Sequence, residues 1–170
     1  IPARRLATIV RELPQETITM EAKNNHAAIL ACGPSRFRIP GLPPEDFPIL
    51  PPFERNNTLS IPQPVLKELI HETMFAMSIE ETRFVLNGTL IQVGGKTLTL
   101  VATDGRWLAV AQAKGISGDW ELTAVIPAKT VRELGRLLRD DAETPAVMAP
   151  IKDNQLLFEC GSVTVITRLI

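Results

Sequence analysis

The chain contains no tyrosine, and aromatic residues make up only 5% of its 170 positions. Proteins that hold single-stranded nucleic acid stack its bases on aromatic rings, so that mode of binding is not a theme here. No run of about 18 apolar residues occurs, and no helical membrane span is expected. Cysteine is confined to Cys32 and Cys160. Two such residues make a poor disulfide framework, and a reduced, cytoplasmic protein with no membrane partner is the expectation. Neither sign of charge is in excess: 18 Lys and Arg stand against 19 Asp and Glu, a net charge of −1. Any electrostatic role must therefore come from how charge is distributed. There is no initiator methionine, and no apolar stretch of the secretory kind follows Arg4 and Arg5. The chain is expected to be a processed or partial one. The remaining composition, 45% hydrophobic and 22% charged, is that of a globular protein long enough for one domain and part of another.

Catalytic signals are equally sparse. Of the two histidines, His26 sits in an Asn-rich turn and His71 on an exposed helix face. The "GGK" at 94–96 lacks the spacing of a phosphate loop and reads as a hairpin turn. The carboxylate pairs Glu45-Asp46, Glu80-Glu81 and Asp140-Asp141 are adjacent in sequence and read as solvated. Asp104 in "TDGR" could serve as a metal ligand, but Asp-Gly is first a turn signal. Cys32 and Cys160 read as small buried hydrophobes. No catalytic residue, metal or cofactor is expected.

What the sequence does have is a repeat. Ile-Pro occurs at 1–2, 39–40, 61–62 and 126–127, and three of these open helix-like patterns, with Pro suited to the first helical turn. "IPARRLATIVREL" at the start matches "IPAKTVRELGRLL" from Ile126, 125 positions later. Downstream, "KNNHAAILACG" (23–33) matches "KDNQLLFECG" (152–161), with Cys32-Gly33 answering Cys160-Gly161 at an offset of 128. A middle copy, "IPQPVLKELIHETMFAMS", begins at Ile61. After it come three stretches that alternate in strand fashion, 83–93, 96–103 and 106–114, with turn signals at Gly94-Gly95 and Asp104-Gly105. Each half-unit is thus one helix followed by a β-meander, and the fold class is α+β with antiparallel sheets. Six prolines fall in "IPGLPPEDFPILPPF" (39–53), which reads as an extended connector. The expected organisation is a half-domain over 1–40, a connector over 41–56 and a nearly complete domain over 57–170.

The helices are two-faced. On a wheel of 100° per residue, Lys129, Arg132, Arg136 and Arg139 fall within about 80°, opposite Val131, Leu134 and Leu138. Arg4 and Arg11 lie within about 20° of each other, against Leu6, Ile9, Val10 and Leu13. The middle helix is weaker, mixing Lys67 and His71 with Glu68 and Glu72. A basic helix face suits phosphate contacts that carry no base sequence and weaken with salt. It equally suits plain solvation.

These segments together resemble the bacterial sliding clamp, the β subunit of DNA polymerase III. "FRIPGLPPEDFPILPPFE" is similar to that family's junction between its first and second domains. "ETRFVLNGTLIQVGGKTLTLVATDGRWLAVA" is similar to the heart of its second domain, and "VIPAKTVRELGRLL" to that domain's second helix. The resemblance implies the DNA-clamp fold, with helices on an inner face and sheets outside, in a homodimeric ring around duplex DNA. It implies a processivity factor without catalysis, which tethers the replicative polymerase and is served by a clamp loader. It implies a DNA-contacting set of Arg4, Arg5, Arg11, Arg83, Lys129, Arg132, Arg136 and Arg139. It also implies a groove for short partner peptides, to which this chain contributes Leu86, Thr103, Gly105, Arg106, Trp107 and Leu108. Where the family usually has His-Arg-Leu after Asp-Gly, this chain has Arg106-Trp107-Leu108. Two readings stand: a tolerated change with Trp107 packed on the outer sheet, or a reshaped groove rim. A clamp-like interaction scaffold that does not close into a ring is the other functional reading. A metal-dependent nuclease built around Asp104 and the acidic pairs is the third.

Overall fold

The computed structural model describes residues 1–14, 17–49, 57–116, 118, 120–151 and 154–170. They divide into two compact units, Ile1–Leu50 and Pro51–Ile170. Residues 50–56 of the expected connector, and Lys152 and Asp153 of the repeat, lie outside the described residues. The described part of the connector holds a single 3-10 turn, Pro44–Asp46.

The first unit consists of helix α1 (Ala3–Arg11) and strands β1 (Thr19–Ala22), β2 (Ala28–Cys32) and β3 (Ser35–Ile39), paired in that order as an antiparallel sheet. Leu6 and Ile9 of α1 pack on buried Ala28, Leu30 and Ile39. Val10, grouped with the apolar face on the wheel, is exposed at 40%.

The second unit is built as two half-units. One runs β4 (Leu59–Ile61), α2 (Gln63–Thr73), β5 (Gly88–Gly94), β6 (Thr97–Thr103), β7 (Leu108–Lys114). The other runs β8 (Leu122–Pro127), α3 (Ala128–Leu137), β9 (Ala146–Ile151), β10 (Gln155–Cys160), β11 (Val163–Arg168). The leading strands are exchanged. The sheets read β7-β6-β5-β8 and β11-β10-β9-β4, so each meander is completed by the strand that opens the other half. Leu59, Ile61, Ile91, Leu98, Leu134, Met148, Leu156 and Phe158 fill one shared core between them.

All three helices begin at the Ile-Pro signal, with Pro2, Pro62 and Pro127 one step earlier than expected, at the N-cap. The missing N–H costs nothing there, and the carbonyls of Pro2 and Pro62 accept the Leu6 and Leu66 N–H groups, each at 3.1 Å.

The repeat holds at the level of register. β2 pairs with β1 and β3 as Met20↔Leu30 and Ala28↔Ile39; 128 positions on, β10 pairs with β9 and β11 as Met148↔Phe158 and Leu156↔Thr167. Cys32 and Cys160 are both buried at equivalent strand ends, as expected of small apolar side chains.

Three strand expectations are corrected. Residues 83–87 are not strand: Glu81–Leu86 forms a kinked 3-10 segment. β5 starts at Gly88, whose partner is Pro127, the last residue of β8 before α3 begins. The Asn87 carbonyl still accepts the Ala128 N–H at 3.0 Å, but beyond that bond the partner strand has become α3. The Arg83 and Asn87 N–H groups turn locally to the Glu80 and Phe84 carbonyls instead. The turn between β5 and β6 lies at Gly95 and Lys96, both left-handed (φ 56° and 63°), and not at Gly94-Gly95. β7 starts at Leu108 rather than Arg106, for the reason given next.

Candidate nucleic-acid interface and peptide face

On α3 the apolar positions Val131 and Leu134 are buried, with Leu138 just beyond the helix, while Lys129, Arg132 and Arg136 are exposed on the other side. The 3.6-residue period alone separates the two sets. Arg136 pairs with Glu133 one turn back at 3.1 Å. Among the described residues Lys129 and Arg132 have no carboxylate partner.

Arg139 lies past the end of the helix that carries this group. The wheel includes Arg139 in the helix, but α3 ends at Leu137, and Leu138 is extended (ψ 136°). Buried Gln63 of α2 is the cause. Its Oε1 accepts the Arg139 N–H at 3.2 Å, and its Nε2 donates to the Thr144 carbonyl at 2.9 Å. The Arg139 guanidinium forks onto Asp141, at 2.9 and 2.8 Å. That hydrogen bond, and then the charge of Arg139, hold the Asp141 carboxyl below the usual range.

Arg4, Arg5 and Arg11 are all exposed on α1, away from Leu6 and Ile9. Arg4 is equivalent to Lys129, and Arg11 to Arg136, at the offset of 125. Arg83 is placed elsewhere. Its Nε meets Glu80 at 3.3 Å and its Nη1 donates to the Asp104 carbonyl at 3.4 Å, beside Gly105. It belongs spatially with the proposed peptide residues.

Sequence reasoning left Lys67 out of the set. α2 and α3 lie side by side, and a groove of about 530 Å³ between them has Ile70 and Met74 at its base, Lys67 and His71 on one rim and Arg132 and Arg136 on the other. The spacing of four between Lys67 and His71 was the available signal.

The loop 104–107 joins β6 to β7, closing at the Thr103↔Leu108 pair. Asp104 organises it. Its Oδ1 accepts the Arg106 N–H at 2.8 Å and the Trp107 N–H at 2.7 Å, taking both out of the ladder. Thr103 Oγ1 accepts the Gly105 N–H at 3.0 Å and donates to the Trp107 carbonyl at 2.6 Å. Gly105 sits at φ 87°, the left-handed region that favours glycine. The two N–H bonds, from Trp107 first and then Arg106, lower the Asp104 carboxyl. Asp104 is thus a turn organiser, and no group of three His, Cys, Asp or Glu among the described residues could hold a metal ion.

That turn presents Trp107 and Leu108 outward, exposed at 66% and 69%. Trp107 is thus two-thirds exposed rather than packed on the sheet, which corrects that part of the first reading of the Arg106-Trp107 change. Exposed Phe84 and Val85 flank half-buried Leu86 on the 3-10 segment, and Val110 continues the apolar row along β7, the edge strand of its sheet. Contiguous exposed apolar residues on an unpaired edge mark an interaction surface.

Comparison with known proteins gives this geometry a family. Over its whole length the chain is 35% identical to the beta sliding clamp of Bacillus subtilis and 33% identical to that of Chlamydia muridarum. It spans 45% and 46% of those relatives' lengths. Its structure is similar to the crystal structure of the DNA polymerase sliding clamp from Bacillus subtilis (TM-score 0.86, 36% identity, 99% of this chain and 44% of that one). It is likewise similar to the DNA polymerase III subunit beta from Pseudomonas aeruginosa (TM-score 0.84, 31% identity, 100% of this chain and 46% of that one). Among the described residues no helix is long and apolar enough to cross a membrane. Residues 1–51 match the family model for the N-terminal domain of the DNA polymerase III beta subunit and residues 60–170 that for its central domain, so the chain belongs to the DNA polymerase III beta subunit family.

Proposed function

We propose that this chain is part of a sliding clamp: a non-catalytic, homodimeric ring that encircles duplex DNA and tethers the replicative polymerase to it. The observation that carries the reading is the two-sidedness of α3, with Lys129, Arg132 and Arg136 exposed behind a buried apolar face. Repeat-equivalent Arg4 and Arg11 on α1 support it. Cations so arranged contact phosphates, which are the same at every step, and permit sliding. Enclosure then supplies the persistence that tight binding would otherwise give. On this reading Trp107, Leu108 and Leu86, with Thr103, Gly105 and Arg106 shaping the turn, receive the apolar anchors of short peptides from the polymerase, the clamp loader and other partners.

The test uses a full-length clamp carrying this sequence, loaded onto nicked circular DNA that is then cut once. A ring stays on the circle and leaves through the new ends. Equal retention on linear DNA means gripping rather than enclosure. Failure to load while peptide binding is retained means an interaction scaffold. The double substitution R132E/R136E is expected to lower DNA association; unchanged association would remove α3 from the DNA-facing surface.

A further inference from the structure

The groove between α2 and α3 carries more cations than α3 alone, yet they are not equally available. Half-buried Lys67 reaches across from α2, and its Nζ meets Asp140 Oδ2 at 2.5 Å. Arg139 is held by Asp141 in the two-point contact described above. Both acids lie in the segment after α3, three and four residues past Leu137, and Gln63 fixes that stretch in place by binding the Arg139 N–H and the Thr144 carbonyl. Arg132, on the opposite rim, has no such partner among the described residues. Asp140 is therefore seated on Lys67 in the lining of the groove, which also carries Glu68, and Asp141 holds Arg139 next to it in the chain.

We propose that Asp140 and Asp141 are intramolecular competitors of DNA phosphate, and that Lys67 becomes a DNA-binding residue when a backbone phosphate displaces Asp140. The inference rests on the DNA-facing reading of α3 given above. An exposed ion pair is worth little on its own, so exchanging a carboxylate for a phosphate is close to balanced. Every phosphate that binds there must first displace a carboxylate, and the exchange releases fewer counterions than binding to unoccupied cations would. The ring's grip is thereby held low, which favours movement along DNA over arrest. Arg139 undergoes the same exchange against Asp141.

The experiment measures equilibrium binding of the full-length clamp to a short fluorescent duplex across a salt series. D140N/D141N is expected to bind about 10-fold more tightly at low salt, with a log–log salt slope steeper by about one to two phosphate equivalents. A double-substitution cycle separates displacement from bulk charge. With K67A in place, D140N should lose most of its effect. An equal improvement from D140N with and without Lys67 would mean that Asp140 acts only as a distant negative charge, and would overturn the exchange. Unchanged binding by D140N/D141N would overturn it as well. R132E is the control. If R132E weakens binding while D140N/D141N does not change it, only the competitor inference fails. If R132E binds as tightly as the parent, the DNA-facing reading fails and carries this one with it.

Discussion

His26 and Asn154 lie 128 positions apart and hold the same left-handed backbone, at φ 60° and 57°. Each is in the turn that leads into the middle strand of its meander, β2 or β10. The His26 N–H donates to the Lys23 carbonyl at 3.0 Å, and the Asn154 carbonyl accepts the Leu169 N–H at 2.8 Å. Left-handed backbone costs an ordinary L-residue about 1–2 kcal/mol, and asparagine tolerates it better than most. His26→Val and Asn154→Val should each destabilise by about 1–2 kcal/mol, whereas His26→Gly should stay within about 0.5 kcal/mol of the parent. Urea midpoints read this directly.

Gly88 opens β5 at a point of close approach. A Cβ there would lie 2.3 Å from the Ile126 carbonyl oxygen, in the main chain of β8. Neither strand can give way without breaking the β5–β8 ladder that α3 follows. Gly88→Ala is expected to cost about 3 kcal/mol, the upper end of overpacking penalties. Thermal unfolding measures it, and a change under about 1 kcal/mol would show that the two strands are not so closely apposed.

Asp104 makes the 104–107 loop sensitive to acid. Its folded-state pKa is depressed by the Trp107 and Arg106 N–H groups. The contribution of the carboxylate is therefore fully present above the unfolded value of about 4, and is lost as pH falls through the folded value. Amide exchange at Trp107 should speed up as pH drops below about 4, beyond the intrinsic pH dependence. In Asp104→Asn the loop should lose protection at neutral pH and lose this extra acid response. A pH response unaltered by the substitution would assign the effect to another group.

Much of this was legible in the sequence, and the rest was hidden for definable reasons. Ile-Pro marks helix starts because proline's φ and its missing N–H are both harmless at that position. The 128-residue offset predicts register because side chains alternate across a strand, so a constant spacing keeps every residue on its face. Non-local hydrogen bonds were not legible. α3 stops at Leu137 because Gln63, 76 positions away from Arg139, takes an N–H that the wheel assigned to the helix. The segment 83–87 alternates like a strand, but its would-be partner has already turned into α3. Lys67 looked compromised by Glu68 and Glu72 on its own helix. Its actual counterion is Asp140, 73 positions on.

Trp107 is the outward-facing aromatic of the 104–107 loop, and on the proposed clamp reading it meets an apolar peptide side chain. Trp107→Ala in a full-length clamp is expected to weaken a short clamp-binding peptide by about 1–3 kcal/mol, roughly 5- to 150-fold, without moving the thermal midpoint. Fluorescence anisotropy of the labelled peptide supplies the number. Unchanged affinity would place the anchor pocket elsewhere along β7.

The exchange of β4 and β8 between the two sheets bears on how the second unit comes apart. A half-unit on its own would have a three-stranded meander with an open edge, and its leading strand would have no ladder to join. Neither half can serve as a stable intermediate for the other, so β4 through β11 should melt in a single step. Chain continuity between β7 and β8 is then not what holds the fold together, provided that Ile116 and Trp120 of that segment keep their places on the core. A chain cut there should yield two pieces, each disordered alone, that regain structure when mixed, in the manner of a heterodimer made from one gene.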